Sequence, residues 1–509
     1  MKRRFFRNRR TRYAGVSMIL TVLVIVTVVL INSVFGSLAT QYEWGIPMNA
    51  EANYDVTSVC YRLLDSAFAT AASDEDKRSS KVEIIFCDTE EMWQSDVTQN
   101  YLYHTAKSLD EKYEQITLSF HDVYLNPNAV KKYAKNPQTG EDQFLSLSDV
   151  IIVCDDYYRV YKLQDFFAFT DVKMTDVLGY SGERKLAAGV MRALNQTPNL
   201  VCFTKNHGEI FYDYELVNLL DDAGYEIKTD FDLSTEEIPQ NCSLLITYNP
   251  NSDLDFSIGI DEGDKLDHFL EKDGNNYLVF VSNGTPSLKN MESYLKEWGV
   301  ETSYHTDVAT GKSYRYTVQD TEQSLTSDGY TIYGQRTAAA ESFQMPASNV
   351  VFKNATALTN ADSYIPTGDG SYVKGDRTLY SVYESAPSSV LWANGIAARG
   401  ESSMLMTLTE QKNETGGKSY VGVVSSVDFG SRTQLQSAVF ENQTVLQRTF
   451  GVMGQTDTTE GLKLKPFAST NISSITTAQM LRWTIGLTVI PAVVIAVVGI
   501  VVLIRRRRA

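Results

Sequence analysis

Cysteine is scarce in this sequence, and paired cysteines are missing. The 509 residues include five cysteines, an odd number, with no Cys-x-x-Cys spacing. Four of them, all but Cys60, lie in or beside apolar runs such as IIFCD and VIIVCDD. Free cysteines in such runs commonly pack as small buried hydrophobes. We therefore expect no redox pair and no disulfide framework in a domain of this size.

Histidine is equally scarce. The five histidines are scattered along the chain, and no His-x-x-x-His pair occurs. Because protein metal sites need clustered histidine, cysteine or carboxylate ligands, we expect neither a bound metal nor a cofactor.

The motifs of nucleotide binding and nucleophilic catalysis are also missing. Gly311-Lys312-Ser313 and Gly417-Lys418-Ser419 resemble phosphate-loop ends, but the glycine required five residues earlier is Thr306 in one and Lys412 in the other. No Gly-x-Ser-x-Gly or Gly-x-Cys-x-Gly elbow occurs, and this turn is what exposes a nucleophile in many hydrolases. We expect no catalytic residue and a protein that is not an enzyme.

Dense positive charge is confined to the two ends of the chain. Residues 1–12 carry seven Lys/Arg and residues 505–508 are four arginines, so without them the net charge falls from −16 to about −27. Nucleic-acid binding needs a basic face, and this balance argues against nucleic acid as a partner.

Two uncharged apolar runs stand out, 21 residues from Ala14 to Val34 and 22 from Trp483 to Ile504. Each reaches the roughly 20 residues that a helix needs to cross a membrane. We predict membrane helices at 14–36 and 483–504 of a plasma-membrane protein. The basic tails 1–13 and 505–509 would stay cytoplasmic and the large domain would lie outside the cytoplasm. The alternative for the first run is a signal peptide cleaved near Ser37-Leu38-Ala39, although the run exceeds the usual roughly 7–15 residues.

Residues 50–170 predict a small thioredoxin-like α/β module. Their pattern is strand, helix, strand and then a hairpin, at Lys81–Phe86, Tyr101–Tyr113, Ile116–His121, Asp149–Cys154 and Tyr158–Leu163. Cys87-Asp88-Thr89-Glu90 takes the place of a paired-cysteine motif and holds one cysteine, so we interpret the module as non-redox.

Residues 175–455 predict the main α/β domain. Strand-like runs at Asn199–Thr204, Ser243–Thr247 and Tyr277–Ser282 alternate with helix-like segments, which indicates a parallel sheet flanked by helices. Tyr420–Ser425 and Gln443–Met453 complete it as a further strand and helix. Residues near 302–420 lack helical periodicity and predict a β-rich insertion, and residues 456–481 predict a polar linker.

Polar residues follow four of these predicted strands. In open α/β sheets, ligands bind beyond the carboxyl ends of the strands, so we predict a ligand- or partner-binding site there. Its residues are Asn206, His207, Glu209, Asn249, Ser282, Asn283 and Ser426.

Two interpretations of His207 and Glu209 stay open at this point. They form an acid/base pair or a polar ligand site, or Glu209 caps the following helix while His207 bonds loop backbone.

Several short motifs in order carry a family resemblance. They are Tyr180-Ser181-Gly182-Glu183, His207-Gly208-Glu209, Leu219-Leu220, Ala223-Gly224-Tyr225, Ile238-Pro239, Asn249-Pro250 and Trp298-Gly299. This order resembles the Gldg family, an auxiliary component of ABC-type transport systems first associated with gliding motility. The resemblance covers about 170–300 well and 80–170 less well.

The resemblance implies a non-catalytic extracytoplasmic subunit that works beside an ABC-2-type permease and a separate ATPase. It also implies a main domain similar to class I glutamine amidotransferases. The family usually has Gly-His-Gly-Glu where this chain has Asn206 before His207, and asparagine tolerates the left-handed backbone of such a turn. Two other functions remain open, an extracytoplasmic hydrolase or amidotransferase-like enzyme and a cell-surface ligand sensor.

Overall fold

The computed structural model describes residues 54–73, 80–136, 140–171, 173–195, 198–209, 214–259, 261–399, 402–413, 416–455 and 458–467, with single residues at 482, 499 and 504. The predicted membrane segments 14–36 and 483–504 and both basic tails lie outside the continuous ranges. Within the described residues no helix is long and apolar enough to cross a membrane. The expected fold class with two terminal membrane helices therefore finds no support in the described chain.

The first sheet along the chain has four strands. Its strands are ordered β2-β1-β3-β4, with β1 parallel to β2 and antiparallel to β3. Asp155, whose φ is 53°, turns the chain between β3 and β4. The elements are α1 (Ser58–Ser73), β1 (Val82–Phe86), α2 (Glu90–Ser95), α3 (Gln99–Lys112), β2 (Ile116–Phe120), α4 (Pro127–Val130), β3 (Val150–Cys154) and β4 (Tyr157–Tyr161).

A buried helix connects this sheet to the rest of the chain. After β5 (Phe167–Phe169) and β6 (Val177–Tyr180) comes α5 (Gly182–Leu194), and nearly every residue of α5 is buried. Its Gly189 lies so close to the four-stranded sheet that a Cβ would come within 2.4 Å of Ile152 Cδ1. On its other side Lys185 Nζ lies 2.6 Å from Asp222 Oδ1 in the larger domain. Helix α5 therefore packs against both parts.

The larger domain begins with alternating strands and helices. They are β7 (Leu200–Thr204), α6 (Glu215–Asp222), β8 (Glu226–Phe231), β9 (Cys242–Tyr248), α7 (Glu262–Leu270), β10 (Asn276–Phe280) and α8 (Lys289–Glu297). One apolar core packs α6 against the sheet and another packs α7 and α8. Helices thus cover both faces of this part, as expected for parallel strands joined by crossover helices.

The next stretch consists of short strands. They are β11 (Val300–Thr302), β12 (Tyr304–Thr306), β13 (Ser313–Arg315), β14 (Thr317–Gln319), β15 (Thr331–Tyr333), β16 (Gln335–Arg336), β17 (Val351–Lys353), β18 (Leu358–Asn360), β19 (Ile365–Pro366), β20 (Ser371–Lys374), β21 (Arg377–Glu384), β22 (Val390–Ala393), β23 (Ile396–Arg399) and β24 (Met404–Lys412). The chain then continues through β25 (Lys418–Val424), α9 (Arg432–Leu435), α10 (Asn442–Val452) and β26 (Lys465–Pro466). Short 3-10 turns lie at Lys131–Tyr133, Leu163–Phe166, Ala339–Phe343 and Val427–Gly430.

The main sheet is mixed, so the predicted parallel sheet is wrong as a description of the whole. Twelve strands take part, and the central path runs β19-β20-β21-β24-β25-β10-β9-β7-β8. Strands β25, β10, β9, β7 and β8 are parallel, whereas β24, β21, β20 and β19 continue antiparallel. The cause is that the described residues between about 302 and 412 form no crossover helix, because strands joined by short connections pair antiparallel.

The stretch expected to be a linker also contributes to the fold. Strand β26 pairs antiparallel with β6, and a Cβ at Gly179 would lie 2.6 Å from the Lys465 carbonyl oxygen. Leu462 and Leu464 beside it are buried. Residues up to 467 therefore pack onto the folded domain.

Candidate functional site

The predicted site residues follow four neighbouring parallel strands. The strands are adjacent in the order β25-β10-β9-β7, so their carboxyl ends meet at one edge of the sheet. From β7 the chain passes to β8 on one side of it and then to β9 on its other side, so the direction in which strands are added to the sheet reverses between β7 and β9. Such a reversal is where open α/β sheets form a ligand crevice.

His207 lies at this reversal, in the loop after β7, and is buried between two carboxylates. Its Nδ1 is 3.1 Å from Glu209 Oε1, and its Nε2 is 3.0 Å from Glu262 Oε2. The side chains of the three residues are 3%, 1% and 0% exposed. We call these three residues the His–Glu cluster. Its members come from the β7 loop and from the first residue of α7.

The charges of the His–Glu cluster stabilise one another. Burial by itself lowers the pKa of His207, but hydrogen bonds to Glu209 and Glu262 and their charges outweigh it and raise the pKa to about 9. Burial raises the pKa of Glu209, but its hydrogen bonds to His207 and Thr204 bring the pKa below its ordinary value. At neutral pH His207 is therefore a protonated imidazolium whose two N–H groups donate to carboxylates.

Backbone hydrogen bonds close the crevice around the cluster. Asn251 and Ser252 both donate their N–H to the His207 carbonyl oxygen, each at 2.7 Å. The side-chain amide of Asn251 donates to the Gly208 carbonyl at 2.8 Å, and the Asp255 N–H donates to Glu262 Oε2 at 2.6 Å. The loops after β7 and β9 are thus joined to each other at the place where a ligand would enter.

Two expectations about this loop need correction, namely the helix cap by Glu209 and the left-handed backbone at Asn206. Glu209 does not cap α6, because its Oε1 accepts from Thr204 Oγ1 at 2.5 Å and its Oε2 accepts from the His207 N–H at 2.7 Å. The left-handed residue of the turn is Gly208, with φ of 69°, and Asn206 has no positive φ. The exposed Asn206 amide donates instead to Ser234 Oγ at 2.7 Å.

The sequence did not identify Glu262 as a partner. It stands 55 residues from His207, at the start of a helix, where the helix dipole favours a carboxylate. That position was the available indication, but the pairing itself depends on how the β9 loop folds.

Two more predicted residues serve the local backbone. Asn249 is buried with φ of 53°, and its N–H donates to the Phe280 carbonyl at 2.9 Å. Ser426 is fully buried, and its Oγ donates to the Lys353 carbonyl at 2.6 Å. The Ser426 hydroxyl both donates and accepts within the fold, so it is not free to bind a ligand.

The loop after β10 differs from its neighbours because it opens onto a cleft. Ser282 forms a tight turn in which its N–H donates to Thr285 Oγ1 at 2.9 Å. Asn283 beyond it is exposed, and its side-chain amide has no hydrogen-bond partner among the described residues. A cleft of about 250 Å³ lies here, bounded by this loop, by the β12–β13 hairpin and by the β22–β23 hairpin. Asn283 lines it, and the other six predicted residues do not.

Carboxylates, histidines and cysteines elsewhere in the described chain are the remaining candidates for metal or thiol chemistry. Over the described ranges, no group of three or more His, Cys, Asp or Glu side chains could hold a metal ion. Burial, followed by the charge of Asp149, raises the pKa of the Cys87 thiol to about 12. Cys87 is therefore a neutral thiol at physiological pH, and a thiol without its thiolate form is a poor nucleophile.

No model of a known protein family matches the chain, and no curated protein matches it either.

Proposed function

We propose that this chain is a non-catalytic auxiliary subunit of an ABC-2-type transport system, whose α/β domain binds a substrate or partner outside the cytoplasm at the plasma membrane. The observation that carries the proposal is the burial of His207 between Glu209 and Glu262, with each ring nitrogen at hydrogen-bond distance from a carboxylate oxygen. An imidazolium with both N–H groups donated to buried carboxylates has no lone pair with which to remove a proton.

The rest of the strand-end edge supports recognition in preference to catalysis. A catalytic base must lie within reach of the substrate proton, and both ring nitrogens of His207 are already engaged by buried carboxylates. The cleft beside Asn283 offers open polar surface instead. Together with the Gldg-like order of motifs around 170–300, this favours a binding subunit that works with a permease and an ATPase.

Purification under mild detergent with mass spectrometry tests the partners. The tagged full chain should recover a polytopic permease and a separate ATPase, both missing when an unrelated tagged chain is purified from the same cells. Recovery of neither protein in the presence of folded chain would overturn the proposal.

A cell-surface ligand sensor is a second candidate, because the same cleft would serve it. A sensor should bind its ligand without any permease in the purified complex, so the same purification separates the two functions. The enzyme alternative predicts a turnover that disappears in a folded His207→Ala protein.

A further inference from the structure

We propose that the cleft at the carboxyl end of β10 binds a neutral saccharide, as a terminal sugar or a short stretch of a glycan. This inference rests on the proposed function, in which the domain recognises a molecule outside the cytoplasm. Four features of the cleft lead to it, namely its size, its charge, its aromatic walls and its unused hydrogen-bonding groups.

The size of the cleft limits the ligand. Its volume of about 250 Å³ lies just below the roughly 300–1,000 Å³ of pockets that hold drug-sized molecules. A single sugar ring therefore suits the cleft, while a dinucleotide or a flavin exceeds it. An open cleft also lets the remaining units of a glycan extend into solvent.

The charge of the cleft argues against an anionic ligand. Its cation, Arg315, has a side chain only 3% exposed, and its Nη2 lies 2.7 Å from Glu292 Oε1. The same guanidinium donates to the Pro286 carbonyl at 3.0 Å and to Thr302 Oγ1 at 3.1 Å. Since its charge is already neutralised by Glu292, a phosphate or carboxylate gains little from it.

The walls combine aromatic rings with free amides. Trp392, Tyr304 and Tyr314 line the cleft, and sugar rings pack their C–H faces on such side chains while their hydroxyls seek polar partners. Asn283 and Asn394 also line it, and each side-chain amide offers both donors and an acceptor. Asn394 and Gly395, with φ of 49° and 78°, form the turn that closes the β22–β23 hairpin and hold Trp392 beside the loop that follows β10.

An array of neutral and acidic oligosaccharides, probed with the purified full-length chain, tests the proposal. We expect at least one neutral glycan to bind and acidic glycans to bind no better than their neutral counterparts. Trp392→Ala should lower the affinity for the bound glycan about tenfold or more, as expected for loss of an aromatic anchor. Titration calorimetry measures this affinity. Asn283→Ala, at an exposed position, should lower the glycan affinity by a smaller factor. It provides a second variant if Trp392→Ala does not fold.

The matched control is Phe144→Ala, which removes an aromatic side chain that is 75% exposed and outside this cleft. It should bind the glycan as the unaltered chain does. Binding of acidic glycans alone, binding of no neutral glycan, or full affinity in folded Trp392→Ala and Asn283→Ala would each overturn the proposal. The assay needs no permease or ATPase, so its outcome is independent of whether those partners are recovered.

Discussion

The carboxyl ends of β7 and β10 lie on the same edge of one sheet with β9 between them, yet they differ in almost every physical respect. The first holds a buried imidazolium between two carboxylates, sealed by backbone hydrogen bonds between loops. The second opens onto a cleft whose cation is already neutralised and whose amides are free.

This difference shows that a charged side chain at the end of a strand need not be free to bind a ligand. His207 and Glu209 have the side chains that chemistry most often uses, and their pKa values are displaced. Structural ion pairs displace pKa values as well, and here each charged atom already has a partner. The cleft has fewer charged side chains, but its Asn283 and Asn394 amides can still form hydrogen bonds.

The largest expected effect is that of His207→Ala on folding. Removing the cation leaves two buried carboxylates without a counter-charge, and breaking a buried ion pair from one side costs about 3–5 kcal/mol. Denaturant unfolding followed by circular dichroism should show a loss of this size. His268→Ala is the control, because that side chain is 81% exposed and should change stability by about 0.5 kcal/mol or less. Equal effects of the two variants would mean that the His–Glu cluster does not hold the loops.

The same cluster should make stability depend on pH. The folded-state pKa of His207 is raised to about 9, above an unfolded value of about 6.5. Its contribution is therefore fully present below about pH 6.5 and is lost as the pH rises through about 9, a change on the order of 3 kcal/mol. Unfolding free energies measured across this range should fall more steeply for the unaltered chain than for His207→Ala. Parallel pH profiles would contradict the assignment.

Two asparagines that follow neighbouring strands should respond differently. Asn249 is buried with φ of 53°, so Asn249→Ala should cost about 1–2 kcal/mol because alanine tolerates left-handed backbone poorly. Asn249→Gly, which accepts that backbone, should restore most of the loss. Asn283 is exposed and its side chain is unpaired in the described structure, so Asn283→Ala should change stability by about 0.5 kcal/mol or less. A large loss of folding stability in Asn283→Ala would indicate that Asn283 has a structural role and not a binding role.

Local elements were predictable because their causes are local. The predicted strand Asn199–Thr204 is found as β7 at Leu200–Thr204, and the predicted helix Gln443–Met453 is found as α10 at Asn442–Val452. Apolar runs of strand length and apolar residues at helical spacing are visible without knowing the fold. Because β7, β9 and β10 are parallel, the polar residues that follow them lie at the same edge of the sheet.

The antiparallel half of the main sheet was not predictable in the same way. Strands such as β20 and β21 are short or carry many Thr, Ser and Tyr, and nothing within them specifies which sheet they join. Partner choice depends on residues distant in sequence, as when β21 pairs with β24 and β24 with β25.

By itself the sequence determined that the chain has α/β elements, that it lacks the common nucleotide, redox and nucleophile motifs, and that polar residues gather at one sheet edge. Only the tertiary structure decided which of those residues remain available to a ligand. Availability depends on partners such as Glu262, which neutralises His207 from 55 residues away, and on hairpins distant in sequence that enclose a cleft beside Asn283. The physical reason is that a polar atom binds a ligand only if folding has not already supplied its hydrogen bond.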